Sequence, residues 1–224
     1  MSDSGFSGDL NGLLSEQQAY YRARAATYLD GALEDDAGAV LEAELAQAFD
    51  AHCRGDVLEL ACGPGTWTGM LAERARSLTA VDGAPEMLEL ASFTAAADNV
   101  RFVNADLFRW RPDRRYDAVF FGFWLSHVPD ERWDGFWALV ADCLAPGGYA
   151  LFADDAYRTA DELIYGEESS VIERRLGDGS RHRIVKAVRS APAVEARLRA
   201  QGWDMTARQV GVFFWGAGRP ERST

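Results

Sequence analysis

At residues 56–65 the chain reads DVLELACGPG, a short apolar run that breaks directly into a glycine-rich turn. Gly63 and Gly65 carry no Cβ, so the backbone can bend sharply there and lie close against a ligand. Helical sequence from Trp67 to Arg76 follows, which predicts a strand–turn–helix unit. The rhythm then repeats: LTAVD at 78–82, a helix from Pro85 to Thr94, VRFVN at 100–104, YDAVFFGF at 116–123, a helix from Asp130 to Leu144 and YALFADD at 149–155. A helix from Ala191 to Gln201 and strands at 204–209 and 212–215 close the chain. Alternation of this kind predicts an α/β fold, a parallel sheet with helices on both faces.

Two stretches stand outside the rhythm. Before it come a helix from Leu13 to Leu29, with Tyr21 and Tyr28 seven apart on one side, and a second from roughly Asp36 to His52 with Val40, Leu41, Leu45 and Phe49 on its apolar stripe. Residues 13–52 are expected to form a helical lid, and residues 1–12 a mobile start. Late in the chain, residues 156–189 interrupt the alternation with a polar helix-like piece and a basic hairpin, expected to pack over the carboxyl edge of the sheet. All 224 residues are read as a single domain.

The chain has 23 basic and 35 acidic residues, a net charge of -12, so its averaged field repels nucleic-acid backbones and anionic lipid. Nucleic acid and membrane are therefore excluded as expected partners, and the oligomeric state is left open. Three cysteines without a CxxC pair argue against disulfides and a metal site. No apolar run is long enough to span a bilayer, and a cytoplasmic location is expected.

The glycine turn also constrains its ligand. A pyrophosphate wants bare amides at such a turn, yet here Glu59 approaches it and Pro64 offers no N–H. A cation is better served, and S-adenosylmethionine offers an ammonium and a sulfonium with no phosphate. Asp82 ends the second strand, where a carboxylate can accept from both ribose hydroxyls. Asp106 follows the third and could accept from an adenine amino group, with Leu107 and Phe108 flanking the ring. Each acid, taken alone, is equally a cap for the helix after it.

The segments VLELACGPG, AVDGAPEML, NADLF, YDAVFFGFWLSHVP and LAPGGYALF, in this order over residues 56–153, resemble the class I S-adenosylmethionine-dependent methyltransferases. The resemblance implies a Rossmann-like, doubly wound, seven-stranded sheet whose last strand is antiparallel. It implies S-adenosylmethionine as cofactor, with S-adenosylhomocysteine as product. Matching positions imply that Glu59, Gly63 and Gly65 contact the methionine part, Asp82 the ribose and Asp106 the adenine, with Trp67, Gly122 and Phe123 beside the sulfonium. Gly83, Met87, Leu107 and Tyr21 complete the expected cofactor contacts.

The acceptor must be read from the remaining segments. After the fourth strand stands GFWL, without the Asn/Asp-Pro-Pro-aromatic signature of amino-methylating nucleic-acid enzymes, so a small molecule is expected. His127 in WLSHVPD sits at the mouth, either as a general base or as a hydrogen-bonded support of its loop, and Trp124 beside it is expected to touch substrate. The hairpin ERRLGDGSRHRIVK, residues 173–186, turns at GDGS. A two-residue turn puts Arg175 on one face with His182, Ile184 and Lys186; a three-residue turn puts Arg174 there instead. Cations stacked across strands repel, so the face is either solvated or the grip on an anion.

YYRARA, RGDVLELA, FWLSHVPDERWDGFW and RIVKAVRS extend a second resemblance from Tyr20 to Gly216, to phosphonate O-methyltransferases of dehydrophos biosynthesis. It implies that Arg174 and Lys186 hold the phosphonate and that Tyr28 contributes to binding and catalysis. The expectation is therefore an O-methyltransferase acting on a small anion. Methylation of a neutral hydroxyl or amine with His127 as base, and a non-catalytic cofactor-binding protein, stand as the alternatives.

Overall fold

The computed structural model describes residues 9–27 and 36–221 of the chain. Strands β1 (Asp56–Leu60), β2 (Ser77–Asp82), β3 (Val100–Asn104), β4 (Tyr116–Gly122) and β5 (Leu144–Asp155) pair in parallel, and β8 (Trp203–Val210) and β9 (Phe213–Pro220) complete a seven-stranded sheet in the order β3-β2-β1-β4-β5-β9-β8. The last strand, β9, runs antiparallel to both its neighbours, as expected. Because side chains alternate along a strand, β4 feeds both faces. Ala118 and Phe120 pack with Leu41, Leu45 and Phe49 of helix α2 (Asp36–His52) and Leu71 of α3 (Thr68–Ala72). Val119 and Phe121 pack with Trp133, Phe136 and Trp137 of α5 (Asp130–Cys143) and Leu198 of α6 (Ala191–Ala200). This is the doubly wound arrangement that the strand–helix alternation predicted.

Helix α2 forms where expected but is not part of the lid: its apolar stripe is buried on the sheet itself. The covering role falls to α1 (Leu10–Arg24), which starts inside the stretch expected to be mobile because the Asp9 side chain caps it by accepting from the Asn11 N–H. β5 begins at Leu144 rather than at residue 149. Leu144 already pairs with Tyr116, and the APGG segment bulges out of the ladder before Tyr149 meets Ala118.

The insertion carries its own two-stranded sheet, β6 (Val171–Arg175) and β7 (Arg181–Val185). The polar piece before it reduces to a short turn of 3-10 helix at Ala160–Glu162. Leu176 donates its N–H to the Ser180 carbonyl at 2.9 Å, and Gly179 sits at φ +87°, the left-handed position that a three-residue hairpin loop requires at its end. Arg174 consequently faces His182, and Ile172 faces Ile184. The hairpin packs against α1, with Tyr20 on Ile172 and Ile184 and Leu13 on Val171 and Val185.

Candidate active site

The carboxyl ends of β1, β2 and β4 open into a cleft of about 790 Å³, counting the part open to solvent. Gly63, Asp82, Gly83, Met87, Asp106, Leu107, Gly122, Phe123, Trp124, Tyr21 and His127 all line it, so most of the sequence-derived cofactor positions converge. Two lining residues without glycine's freedom hold left-handed backbone, Ala61 at φ 52° and Phe123 at φ 54°. They follow adjacent strands, and such strain clusters at binding sites. Asp82 is half-buried and accepts from the N–H groups of Gly63 (2.9 Å) and Ala84 (2.8 Å); burial pushes its carboxyl above the usual carboxylate range despite these bonds.

Three expected cofactor contacts stand behind this wall. Glu59 is 1% exposed and accepts a 2.7 Å hydrogen bond from Thr68 Oγ1; burial, with Asp82 nearby, pushes its carboxyl up to about 8. Gly65 lies against α4 (Pro85–Thr94), where a Cβ would come within 3.1 Å of the Ala91 Cα, so its glycine serves loop-to-helix packing. Trp67 is buried beside Gly122, whose Cβ would fall 2.7 Å from the Trp67 Nε1. These residues shape the turn without lining the cleft.

His127 is buried and held from two sides. Its Nδ1 donates to the Val185 carbonyl at 2.6 Å, because a carbonyl only accepts. Nε2 therefore carries the lone pair and accepts from the Tyr21 hydroxyl at 2.7 Å. Burial first, then the charges of Lys186 and Arg174, hold the imidazole well below its ordinary pKa, so it is neutral. His127 is thus bonded to backbone on one side and to the Tyr21 hydroxyl on the other.

The three-residue turn decides the hairpin face. Arg174 shares it with His182, Ile184 and Lys186, whereas Arg175 lies on the other face, opposite Arg181, and is exposed. The expectation that Arg175 touches substrate is therefore corrected: one extra turn residue reverses its direction. Arg174 Nε donates to Glu162 Oε1 at 2.8 Å. Lys186, 2% exposed, donates to Ser126 Oγ at 3.1 Å and pairs with Asp155 Oδ1 at 2.9 Å and Asp154 Oδ1 at 3.8 Å. Neither cation lines the cleft, but both act electrostatically on His127, which does. Tyr28 lies outside the described residues.

A methyltransferase domain family matches residues 57–148. Curated relatives include the trans-aconitate 2-methyltransferases of Enterobacter sp. (strain 638), 38% identical over 77 residues, and of Escherichia coli O139:H28, 36% identical over 76 residues. Those matches take in 34% and 33% of this chain but only 30% and 29% of the relatives, so the chain spans under a third of their length. The solved complex of DhpI with SAH is 40% identical with a TM-score of 0.83, covering 96% of this chain and 100% of that one. A second DhpI complex, with SAM and HEP, is 40% identical with a TM-score of 0.84, covering 95% and 100%. The chain belongs to the S-adenosylmethionine-dependent methyltransferases.

S-adenosylmethionine is the cofactor, and the residues present suit it. Among the described residues lining the cleft, the charged ones are Asp82 and Asp106; no lysine or arginine stands there to oppose a sulfonium and an ammonium. At Gly63 nothing lies within 4 Å of where a Cβ would begin, which leaves the methyltransferase open backbone at the turn. Sequence reasoning expected a covering helix and Tyr21 here, but missed the other residues that α1 brings to the cleft. Leu14, Gln17, Gln18 and Tyr21 recur at helical spacing and all line the cleft. Gln18 donates to the Gly83 carbonyl at 2.7 Å, while Gln17 accepts from the Val185 N–H at 2.9 Å. The spacing was readable, but two glutamines on a half-polar helix give no hydrophobic signal. Asp154, Asp155 and Glu162 went unread as well, since nothing in their sequence links them to Lys186 or Arg174.

Proposed function

We propose that this methyltransferase transfers the methyl group of S-adenosylmethionine to an oxygen of a small anionic metabolite, and that the acceptor is a phosphonate. The observation that carries the reading is the hairpin register, which turns Arg174 and Lys186 to one face beside His127. The likeness to DhpI, solved with SAM and HEP, supports the same acceptor class.

The bound cofactor supplies an electrophilic methyl group on a sulfonium. In this reading Asp82 takes the ribose hydroxyls, Asp106 the adenine amino group, and Met87, Leu107 and Phe108 flank the ring. Gly63 brings backbone to the methionine part, and Gly83, Gly122, Phe123 and Trp124 close the cleft around it. Glu59 acts from beneath the turn. An ionised acceptor oxygen needs alignment rather than deprotonation, so positioning by Arg174 and Lys186 is the main device. Tyr21 and His127 fix the side of the cleft nearest these cations.

One observation favours a second reading, a neutral hydroxyl acceptor with His127 as general base: its Nε2 is unprotonated and already holds a hydroxyl, that of Tyr21. Replacing Arg174 with Ala separates the two. Under the phosphonate reading kcat/KM falls by roughly 10- to 100-fold, the equivalent of ~1.5–3 kcal/mol for a charge-assisted bond. Under the second reading R174A is nearly neutral, and His127→Ala removes activity instead. A thermal-shift screen with S-adenosylhomocysteine plus phosphonates, carboxylates and phenols gives the independent check, since ligands of the folded state raise its melting temperature. A response to phenols alone would overturn the phosphonate reading.

A further inference from the structure

The two candidate clamp cations do not stand free. Arg174 spends its Nε on Glu162, leaving both terminal amino groups without a hydrogen bond among the described residues. Lys186 has three N–H donors and spends two of them, on Ser126 and Asp155. Each cation therefore keeps open donors while its charge is already matched by a carboxylate. Resting on the phosphonate reading above, we propose that Glu162 and Asp155 are specificity-determining residues that make the site take a hydrogen phosphonate, singly charged, rather than the dianion.

Charge and donor matching both favour the singly charged form. Two cations against two carboxylates sum to zero before any ligand enters, and Asp154 stands 3.8 Å from Lys186 as a further acid. Around these pairs, Tyr20 and Tyr21 face the hairpin from α1, His127 is held neutral, and Arg189, whose charge reaches Asp154, is already paired with Asp130. His182 lies opposite Arg174 with its Nε2 3.2 Å from Ser180 Oγ. A dianion entering this surrounding meets two carboxylates in a poorly solvated place, where like charges interact strongly. A hydrogen phosphonate meets complementary groups instead. Its ionised oxygens accept from the open donors of Arg174 and Lys186, and its P–OH donates to a carboxylate.

The transfer balances with this form. The ionised oxygen bonds to the methyl carbon while the carbon–sulfur bond breaks, its electron pair staying on sulfur. The product is first a neutral ester that still carries the P–OH, and its proton passes to the carboxylate and on to water. Once deprotonated, the ester has no P–OH to offer, so the same carboxylates that select the substrate reject the product as a second acceptor.

Calorimetry tests this. With the full chain saturated by S-adenosylhomocysteine, methylphosphonate is titrated at about pH 9, above its second ionisation, which itself lies higher than the ~6 of a phosphate monoester, in buffers of different ionisation enthalpy. The monomethyl ester of methylphosphonate is the control. The expected result is uptake of close to one proton per phosphonate bound and none for the ester. Asp155→Asn and Glu162→Gln should each reduce that uptake and improve binding of the dianion tenfold or more; Glu162 is only half-buried, so its variant leaves the core untouched. Phosphonate binding without proton uptake, or equal uptake with the ester, overturns the inference while leaving the phosphonate reading in place. Failure of both probes to bind overturns that reading and this inference together.

Discussion

Glu59 shows how far one residue can be read from sequence. Its position at the end of β1 and its nearness to the glycine turn were legible, because a strand that runs into a glycine pair fixes where its last residues lie. That it would sit under the turn, hydrogen-bonded to Thr68, was not: Thr68 belongs to the next helix, and only packing brings them together. Its carboxyl, raised from 4.5 to about 8 by burial, has a consequence for stability. A raised acid favours folding below its unfolded pKa and loses that contribution as pH rises through the folded value. The Glu59 contribution should therefore fall between about pH 4.5 and pH 8, so the melting temperature of Glu59→Gln should match the parent near pH 4.5 and exceed it near pH 9. His127 works in the opposite direction. Its depressed pKa contributes stability above 6.5 that is lost as pH falls, so His127→Gln should reduce the acid sensitivity of unfolding.

Among the elements, the hairpin and α1 carry what the sequence left open. GDGS announced a turn, but the two possible loop lengths differ by one residue and have similar turn chemistry, so the face bearing Arg174 was decided only by the backbone at Gly179. Gly179→Ala, which forces a Cβ onto φ +87°, should cost about 1 kcal/mol in denaturant unfolding, near the penalty for a left-handed L-residue. Helix α1 is fastened to the edge of β7 by side chains. Glu16 accepts from the Arg183 N–H at 2.7 Å and from its guanidinium, and Gln17 accepts from the Val185 N–H. Gln17→Ala strands a buried N–H and should cost ~1–3 kcal/mol, with faster amide exchange along α1 and β7 as the readout. The helices at 36–52 and 85–94 were placed well because their apolar stripes, and Pro85 in the first turn of the second, are local signals. Where α2 packs was misjudged, since an apolar stripe says that a helix is buried and not against what.

At the scale of the molecule, the parallel sheet covered by helices follows from the alternation of buried strands with helices, and this was the most legible part of the fold, whereas the strand order was not read. The net charge of -12 was equally plain, as were the acids of the cleft and the cations of the hairpin, but not the carboxylates that pair with those cations. The acidic cleft and the basic hairpin face are separate compartments that share one wall, Tyr21 and His127. Long-range attraction of a cationic cofactor to an acidic protein is screened by salt. The association rate of S-adenosylmethionine should therefore fall as ionic strength rises from about 10 to 150 mM, while that of a neutral adenosine analogue stays level; stopped-flow quenching of the cleft tryptophan Trp124 would report both.

Gln17 and Gln18 are neighbours in sequence, yet one holds the hairpin through Val185 and the other holds the cofactor side through Gly83. Under the proposed function, a single helical turn is thus shared by two binding events that touch no common ligand. Thermodynamics then sets the bookkeeping between them: whatever factor the adenosyl product adds to acceptor affinity, the acceptor must return to the adenosyl product. Loosening Gln18 by substitution with Ala should shrink both factors equally, leaving each ligand able to bind but indifferent to the other.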